Sequence, residues 1–596
     1  MLGIYLIMSH EIRRRTKDLG VISAAVMCLD LASIGFGIGY AIHPAYSPAW
    51  DVLGVLLLVA IFGNFLLVYV ADRVINRHTP RGNQLNWIGY GVLLWIVAGM
   101  IAMLAGNFVI SQTYSSAEIA GPYVVVFAGF FGMLAMGAFF AFSMIRLAAG
   151  TLKGPNTEAH GQGRDPRRGL RAGVIIVSCV VLGGMVYFAL QALAGTSFGQ
   201  NSPLGQAGAV NGLLGLYSGM CGGFWCFLAL GAALFLLKAT RRYHRPRLSV
   251  TIGAVGLVLS CVLLAPFVAT SASVSTANTS FAAAFGANWK SKIPASVENY
   301  FMPAPVNIPG FYLGIPPKDC VIDTNVLYYT GTGAESNIRL YFDAYLPPNH
   351  GVGLPGANST ILRLHGGAWV IGDKSMEGMM QVDKYLAAQG YCVFDIQYGL
   401  SNYSSGSFAL FSHLNLINPP NVTANFSIAD MMHQIGDFCQ YLVAHDSEYG
   451  ANLSSTFVSG GSAGGQLTCA VALAIASGNY TSYFGTGLTI RGLIPEYPAN
   501  GMAGPLDQGR SPPAFIDPTL LVTATSPPCL DYHGTQDGLI NPAISQELKD
   551  AYTNADNPAC AIIWLPMAGH GSDLYFSGYY NILFLYYMER FLYLYR

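Results

Sequence analysis

The chain has 596 residues and a net charge of −1 at pH 7; 53% of its residues are hydrophobic and only 10% are charged. With a mean hydropathy of +0.43, it is too apolar for an ordinary soluble protein, and part of it is expected to lie in lipid. The near-neutral charge excludes the basic surface that is typical of nucleic-acid-binding proteins, so nucleic acid is not an expected partner.

Long apolar stretches dominate the first 270 residues. A helix needs about 20 apolar residues to cross the ~30 Å hydrocarbon core of a bilayer, and each stretch reaches about this length. Seven of them lie at approximately 20–42, 52–71, 87–110, 121–145, 172–194, 213–237 and 249–269. The sequence therefore predicts an α-helical polytopic membrane domain with seven spans over residues 1–270.

Lys and Arg residues occur only in alternate connections between these spans. They precede the first span and follow the second, fourth and sixth, at Arg13, Arg14, Arg15, Lys17, Arg73, Arg77, Arg81, Arg146, Lys153, Arg164, Arg167, Arg168, Arg171, Lys238, Arg241, Arg242, Arg245 and Arg247. Short basic segments stay on the cytoplasmic side of a membrane. We therefore expect a cytoplasmic N-terminus, and an odd number of spans then predicts an extracellular or lumenal location for the residues after 270.

Glycosylation sequons and cysteines bear on compartment and cofactors. N-x-Ser/Thr sequons begin at Asn278, Asn358, Asn402, Asn421, Asn425, Asn452 and Asn479, and none occurs before residue 271. They agree with an outer, glycosylated domain, although sequons also arise by chance in polar domains. The eleven cysteines show no C-x-x-C spacing, and the chain carries no zinc-binding pattern. No metal is expected, and no disulfide pairing is assigned.

The rest of the chain divides into a linker and a globular domain. Residues 271–320 are rich in Ser, Thr, Ala and Pro, which is typical of a linker. Strand-like runs follow at 323–329, 338–345, 360–364, 391–396, 455–459, 491–495, 528–532 and 560–566, with helical stretches between most of the later ones. This pattern predicts a mostly parallel eight-stranded sheet in an α/β domain over residues 321–596. A Gly-rich turn at 331–333 favours an antiparallel hairpin at its edge.

A serine in a Gly-rich turn follows the fifth of these strands. Ser462 is the central residue of Gly-Gly-Ser-Ala-Gly at 460–464. By itself this motif is weak evidence, because a chain of this size with so many glycines contains one by chance roughly every second time. The order along the chain is more informative, since His-Gly-Gly at 365–367 precedes Ser462, and Asp537 and then His570 follow it. Serine hydrolases of the α/β type have this order.

Four short sequences carry a resemblance to a known family. They are His-Gly-Gly-Ala-Trp at 365–369, Gly-Gly-Ser-Ala-Gly-Gly at 460–465, His-Gly at 533–534 before Asp537, and Gly-His-Gly at 569–571. Together they resemble the α/β-hydrolase carboxylesterases and lipases, within them the hormone-sensitive-lipase-like and acetyl-esterase-like group. The resemblance covers about residues 320–596. It implies an eight-stranded α/β-hydrolase fold and activity on short and medium acyl esters. The chain departs from the group at Ala368, where a third Gly is usual, and at Gly461, where an acidic residue is usual.

The predicted catalytic residues follow from the needs of ester cleavage. Ser462 is the predicted nucleophile, because it would sit on a sharp strand-to-helix turn, and His570 is the base that takes its proton. Asp537 is the predicted acid that orients this histidine, with Asp531 and Asp573 as competitors. The alternative is an ordinary serine in a tight turn and a surface histidine.

An oxyanion hole is expected beside the nucleophile. Its donors would be the backbone N–H groups of Gly367, Ala368 and Ala463, and Gly366 would let the loop turn. His365 is expected to anchor this loop rather than to transfer a proton. The alternative is a tight Gly turn next to a core strand.

Two other segments leave alternatives open. The aromatic residues after 573 predict a C-terminal helix that packs on the sheet, or one that touches the bilayer interface. Asp30, Asn64, Asn107 and Gln191 lie within predicted spans, where interhelical hydrogen bonds are the simpler interpretation and an ion or ligand path is the other.

The sequence thus favours a membrane-anchored serine hydrolase that cleaves carboxylic esters through an acyl-enzyme intermediate on the extracellular or lumenal side. Its expected partners are the bilayer and an ester substrate, either lipid-derived or soluble. No cofactor is expected. One alternative is an acyltransferase or deacetylase that acts on a surface glycan or lipid. The other is a non-catalytic receptor or transporter with a hydrolase-like outer domain.

Overall fold

A computed structural model describes residues 2–44, 47–75, 79–114, 118–151, 168–194, 217–241, 246–316, 318–376, 379–405 and 418–596. Several sequence-predicted features lie outside these residues: Arg77, Lys153, Arg164, Arg167, Arg242, Arg245, most of the connection before the sixth span, and part of the segment after the fourth predicted strand.

Seven helices in the described ranges are long and apolar enough to cross a membrane. They are α1 (Leu2–Ile42), α2 (Pro48–Val74), α3 (Pro80–Ser111), α4 (Ala120–Thr151), α5 (Arg168–Ala194), α6 (Gly222–Thr240) and α7 (Pro246–Phe285). Each overlaps one predicted stretch, so the prediction of seven long apolar helices is confirmed.

Small residues bring the membrane helices close together. Gly99 of α3 faces Gly129 of α4, and a Cβ atom added to either would lie 2.9 Å from the other's carbonyl oxygen. Such close backbone approach is how helices associate where no hydrophobic effect drives them together.

The polar residues inside the spans are hydrogen-bonded. The Asn64 amide donates to the buried Asp30 carboxylate at 2.7 Å, and Asn107 donates to the Tyr312 carbonyl at 3.0 Å. Gln191 Nε2 donates to the Tyr187 hydroxyl at 3.1 Å. The Asp30–Asn64 bond joins α1 to α2, as the simpler interpretation predicts. Asn107 instead bonds a residue outside the seven helices, and the Gln191 bond lies within α5.

Helix α7 continues through the first part of the segment predicted as a linker. Residues 271–285 are helical because no Gly or Pro interrupts them and Ala is a strong helix former. The extension also has a packing partner, since Phe281 contacts Tyr587 with ring centroids 5.2 Å apart and Phe285 contacts Phe591 at 5.0 Å. The expectation of a linker is wrong for these fifteen residues. The described residues between Gly286 and Cys320 are irregular apart from short helical turns, of which α8 (Ile308–Leu313) is the longest.

An eight-stranded sheet forms the centre of the C-terminal half. Its strands are β1 (Val321–Thr330), β2 (Arg339–Leu346), β3 (Ser359–Leu364), β4 (Cys392–Ile396), β5 (Asn452–Gly461), β6 (Ile490–Glu496), β7 (Cys529–Gly534) and β8 (Cys560–Leu565), in the order β1-β2-β4-β3-β5-β6-β7-β8. Strand β2 pairs antiparallel with β1 and with β4, and the remaining neighbours are parallel. This is the topology of the α/β-hydrolase fold, so the predicted fold class is confirmed.

Helices cover both faces of the sheet. They are α9 (Met379–Ala387), α10 (Ile428–Tyr449), α11 (Ala463–Ser477), α12 (Ala543–Asn554) and α13 (Tyr579–Tyr595). Side chains alternate between faces along a strand. On β3, Leu362 belongs to the core under α10 and α11, whereas Ile361 belongs to a core that includes α13 and the membrane helices. One face of the sheet therefore shares a continuous apolar core with the membrane bundle.

Polar contacts join the bundle to the sheet domain near the end of α3. The Tyr114 hydroxyl donates to Asp343 of β2 at 2.7 Å, and Gln381 of α9 donates to the Ile110 carbonyl at 2.7 Å. On α13, Tyr579 donates to the Gly219 carbonyl. The aromatic C-terminal helix thus packs between the sheet and the bundle, in agreement with the first of its two interpretations.

Candidate active site

Ser462 occupies a sharp turn between β5 and α11. Its backbone has φ 59° and ψ −119°, a conformation that L-residues rarely adopt. The turn needs glycine neighbours: a Cβ atom on Gly464 would lie 2.0 Å from the Leu364 carbonyl oxygen, and one on Gly460 would lie 2.2 Å from the same atom. The glycines therefore let the turn sit directly against the end of β3, where Ser462 remains partly exposed.

The structure brings Ser462, His570 and Asp537 into one hydrogen-bonded chain. Ser462 Oγ lies 3.0 Å from His570 Nε2, and His570 Nδ1 lies 2.8 Å from Asp537 Oδ2. His570 follows β8 and Asp537 follows β7, so both come from the carboxyl ends of parallel strands, as the turn after β5 does. In this arrangement the histidine can take the serine proton while the carboxylate fixes its ring.

Both carboxylate oxygens of Asp537 accept hydrogen bonds. Oδ1 accepts the backbone N–H groups of Leu539 at 2.8 Å and Ile540 at 2.9 Å. Its side chain is fully buried, whereas that of His570 is 12% exposed. Burial alone would raise the pKa of Asp537, but the rings of His570 and His533 lower it well below its usual value. The residue is therefore an ionised, fixed acceptor for the histidine.

The two competing carboxylates lie elsewhere. Asp531 is inside β7 and fully buried, and its Oδ1 accepts the N–H of the next residue, Tyr532, at 2.6 Å. Burial raises the pKa of Asp531 to about 6. Asp573 accepts the Tyr497 hydroxyl at 2.5 Å. Of the three acids, Asp537 has the hydrogen bond to His570.

The residues predicted for the oxyanion hole adjoin Ser462. A Cβ atom on Gly366 would lie 3.5 Å from the Ser462 Cβ, and Gly367, with φ 108°, turns the loop. No acceptor among the described residues takes the N–H groups of Gly367 and Ala368. Ala463 begins α11, so its N–H has no partner within the helix. These donors are available to an anion beside the serine.

His365 anchors the neighbouring loop. It is fully buried, its Nδ1 donates to the Gly366 carbonyl at 2.8 Å, and its ring stacks on Tyr398 with centroids 4.2 Å apart. Burial lowers the pKa of His365 to about 4, so the ring is neutral at pH 7. These contacts agree with the anchoring role expected from the sequence.

Two residues at the site escaped the sequence analysis. The Tyr497 ring lies edge-on to His570 with centroids 4.6 Å apart, while its hydroxyl is bonded to Asp573. Gln466 of α11 accepts the Trp369 indole N–H at 3.0 Å and so ties the loop after β3 to the helix of the nucleophile. Tyr497 directly follows β6, at the carboxyl end of a parallel strand. This position is the sequence feature that could have identified it as a site residue.

The described part of the chain contains no cluster of three or more His, Cys, Asp or Glu side chains that could hold a metal ion. The polar groups at this site are a hydroxyl, an imidazole, a carboxylate and backbone N–H donors. Together they suit acyl transfer.

No protein-family model and no curated protein matches the chain. Among solved structures, esterase B from Lactobacillus rhamnosis is similar, at 18% identity over 44% of this chain and 81% of that one, with a TM-score of 0.34. A truncated carbohydrate esterase from gut microbiota is similar at 18% identity over 46% and 96%, with a TM-score of 0.34. Apo Thermogutta terrifontis esterase 2 is similar at 19% identity over 46% and 91%, with a TM-score of 0.33.

Proposed function

We propose that the chain is a membrane-anchored serine hydrolase that cleaves carboxylic esters through an acyl-enzyme intermediate. The observation that carries the proposal is the hydrogen-bonded chain from Ser462 Oγ through His570 to Asp537, at 3.0 and 2.8 Å. A binding module has no need of a nucleophile, a base and an acid in register. The strained backbone of Ser462 supports the same conclusion, because strain of this kind is concentrated at functional sites.

The first half of the reaction transfers the acyl group to the enzyme. Ser462 Oγ attacks the ester carbonyl carbon while His570 Nε2 takes the hydroxyl proton. The N–H groups of Gly367, Ala368 and Ala463 stabilise the resulting oxyanion. Removing one such donor costs about 3 kcal/mol of transition-state stabilisation in other enzymes. The tetrahedral species collapses, and His570 gives its proton to the departing alcohol.

The second half releases the acid. His570 takes a proton from water, the hydroxide attacks the acyl carbonyl, and the acid leaves as Ser462 regains its proton. Asp537 stays ionised throughout and stabilises the imidazolium that forms twice in the cycle. An acyltransferase would use the same acyl-enzyme with a glycan or lipid hydroxyl in place of water.

We infer that the catalytic half lies on the extracellular or lumenal side. Two observations support this location: the basic connections lie at one end of the spans, and the contacts of Ile110 and Tyr114 with the catalytic half, residues 321–596, lie at the other end. At the basic end, Lys238 and Arg241 pair with Asp72 at 2.9 and 3.0 Å.

The test uses a tagged fluorophosphonate and a series of p-nitrophenyl esters from acetyl to palmitoyl, on membranes that contain the full chain. The Ser462→Ala variant should lose both labelling and ester turnover. Its matched control, Ser477→Ala at the other end of α11, should keep both. Release of the acyl group as free acid bearing oxygen from labelled water identifies a hydrolase, and its transfer to an added alcohol identifies a transferase. A folded wild type that does neither contradicts the proposal and favours a receptor or transporter.

A further inference from the structure

An apolar groove opens on the side of the membrane bundle. It has a volume of about 360 Å³ and is lined by residues of α3, α5, the segment that leads into α6 and α6 itself, among them Ile101, Ala105, Phe108, Phe188, Tyr217 and Trp225. No polar atom of the described residues faces it. Its size is at the low end of ordinary ligand pockets, which are about 300–1,000 Å³.

The groove lies along the part of α3 that is nearest the catalytic domain. Ile101 and Phe108 lie within the last eleven residues of α3, which ends at Ser111, and at 1.5 Å per residue this part of the helix is about 15 Å long. A hydrocarbon core is about 30 Å thick. Since Ile101 is 49% exposed and Tyr217 is 40% exposed, the groove is open to the hydrocarbon chains of one leaflet.

The end of the groove adjoins the segment that carries His570. Tyr217 and Cys221, which both line the groove, flank Gly219. A Cβ atom on Gly219 would lie 3.0 Å from the Met567 carbonyl oxygen, and Met567 is three residues before His570 in the loop after β8.

A second contact joins the groove to the loop that carries His570. The ring of Phe108 stacks on Tyr575 with centroids 5.2 Å apart. Tyr575 follows Asp573, which accepts the Tyr497 hydroxyl, and the Tyr497 ring lies against His570. Membrane helices thus touch the catalytic loop from the side on which the groove ends.

We propose that this groove binds one hydrocarbon chain of an ester lipid taken from the leaflet on the catalytic side, so that the membrane bundle forms part of the substrate site. The proposal rests on the ester-hydrolase function proposed above. The occupant is a hydrocarbon chain because the described lining residues offer no hydrogen-bonding group to the groove, and because the groove is open on the outer surface of the apolar helices. A bundle that only anchored the enzyme would need no groove beside the catalytic loop.

The test compares two substitutions on the same face of α3. Ala105 lines the groove, whereas Ala98, seven residues earlier and likewise exposed, does not. Ala105→Trp should fill the groove, and Ala98→Trp places the same bulk in lipid. The full chain is reconstituted in phosphatidylcholine vesicles, and kcat/KM is measured for p-nitrophenyl acetate and p-nitrophenyl palmitate.

We expect Ala105→Trp to lower the palmitate-to-acetate ratio of kcat/KM by about tenfold, because bulk in a packed site excludes its ligand. Ala98→Trp should leave this ratio within about twofold of the wild-type value, which is the scatter expected of a surface substitution. An unchanged ratio in Ala105→Trp, or an equal fall in both variants, would overturn the proposal.

A second readout separates the groove from the hydrolase function. A phosphatidylcholine with a photoreactive diazirine in one acyl chain should label residues 101–108 and 217–225 in the wild type, and markedly less in Ala105→Trp. If the wild type hydrolyses no ester, the function fails while this labelling still decides whether the groove binds lipid. Crosslinks from these residues to a second copy of the chain, in place of lipid label, would overturn the groove proposal.

Discussion

Asp537 differs from the other buried acids near the site in the way its two oxygens are used. One oxygen accepts two backbone N–H groups, and the other faces His570. The carboxylate can therefore neither rotate nor exchange its partners without breaking backbone hydrogen bonds. Because the two oxygens have different partners, replacing one of them with an amide nitrogen tests the role of the residue.

We predict that Asp537→Asn lowers kcat by about three to four orders of magnitude. The amide oxygen must keep the position that accepts the Leu539 and Ile540 N–H groups, so the amide nitrogen faces His570 Nδ1. With this hydrogen-bond donor beside it, Nδ1 must be the acceptor, so the imidazole proton lies on Nε2. Nε2 then cannot take the proton of Ser462. Ester turnover measures the effect. Asp531→Asn is the control, and a loss of similar size in that variant would argue against the assignment of the acid.

Asp531 leads to a prediction about stability. Its pKa is raised by burial to about 6 in the folded chain, against about 3.9 in an unfolded one. The folded state therefore keeps a proton that the unfolded state has lost. The stabilisation of the folded state by this proton is fully present below pH 4 and is lost as the pH rises to about 6. The free energy of unfolding changes by about 3 kcal/mol over this range.

Asp531→Asn, which mimics the protonated acid, should therefore stabilise the chain increasingly as the pH rises from 4 to 6. Above pH 6 the gain should stay constant. The measurement is the thermal unfolding midpoint in detergent of the variant minus that of the wild type, so that other titrating groups cancel. A difference that is independent of pH would show that the carboxyl is not protonated in the folded state.

The sequence indicated the three residues of the hydrogen-bonded chain, but not the tyrosine that packs against it. Ser462, Asp537 and His570 were predicted because each follows a strand and their order along the chain is diagnostic. Tyr497 was not predicted, because a single tyrosine after β6 carries no motif and its relation to His570 depends on how β6 and β8 are placed in the sheet.

At the scale of elements, the site depends on how closely α11 approaches β3. The helix begins directly after Ser462, and its second residue, Gly464, touches the last carbonyl group of that strand. There is no room for a side chain at this crossing. The position of Ser462 is therefore set by backbone contact rather than by side-chain packing.

We predict that Gly464→Ala destabilises the chain by about 1–3 kcal/mol or more and lowers fluorophosphonate labelling. The added Cβ would lie 2.0 Å from the Leu364 carbonyl and 2.5 Å from that of His365, and overpacking against backbone cannot relax by rotation of a side chain. Gly504→Ala is the control, because nothing lies within 4 Å of its added Cβ. Thermal unfolding and labelling measure both variants, and equal behaviour would contradict the close approach.

The strand pattern was readable from the sequence, whereas the end of the last membrane helix was not. All eight strands were predicted within a few residues, because short apolar runs bounded by turn residues identify buried strands. Residues 271–285 are polar enough to suggest a linker. Their helix is stabilised by Ala277, Phe281 and Phe285 against α13, and that partner lies about 300 residues away in the sequence.

At the scale of the whole molecule, the membrane bundle and the hydrolase fold are packed as one body. The alternate residues Ile361, Phe457 and Ile494 on neighbouring strands share a core with the membrane helices. Such a contact is invisible in the sequence, because strands of a parallel sheet are apolar on both faces whichever layer covers them. Helix α7, which packs along β8, therefore joins the bundle to the sheet directly instead of through a flexible tether.

Because the two parts are packed together, the orientation of the spans decides which compartment receives the site. The catalytic half contacts the ends of the spans opposite the Lys238–Asp72 pair, and basic ends stay in the cytoplasm. The side chains of Asn402, Asn421, Asn425 and Asn479, all in sequons, are exposed. An outer location would therefore present four accessible acceptors to the glycosylation machinery.

We predict that the full chain made in a eukaryotic host carries N-glycans on the catalytic half. An endoglycosidase should then increase its electrophoretic mobility, and Asn479→Gln should reduce this mobility shift by the contribution of one glycan.

In sealed microsomes, added protease should remove a tag at Met1 and spare a tag at Arg596, because an odd number of spans separates the two ends. Detergent should expose both tags. Protection of the Met1 tag with loss of the Arg596 tag would reverse the orientation and place the ester chemistry in the cytoplasm, where the groove would take its lipid from the inner leaflet.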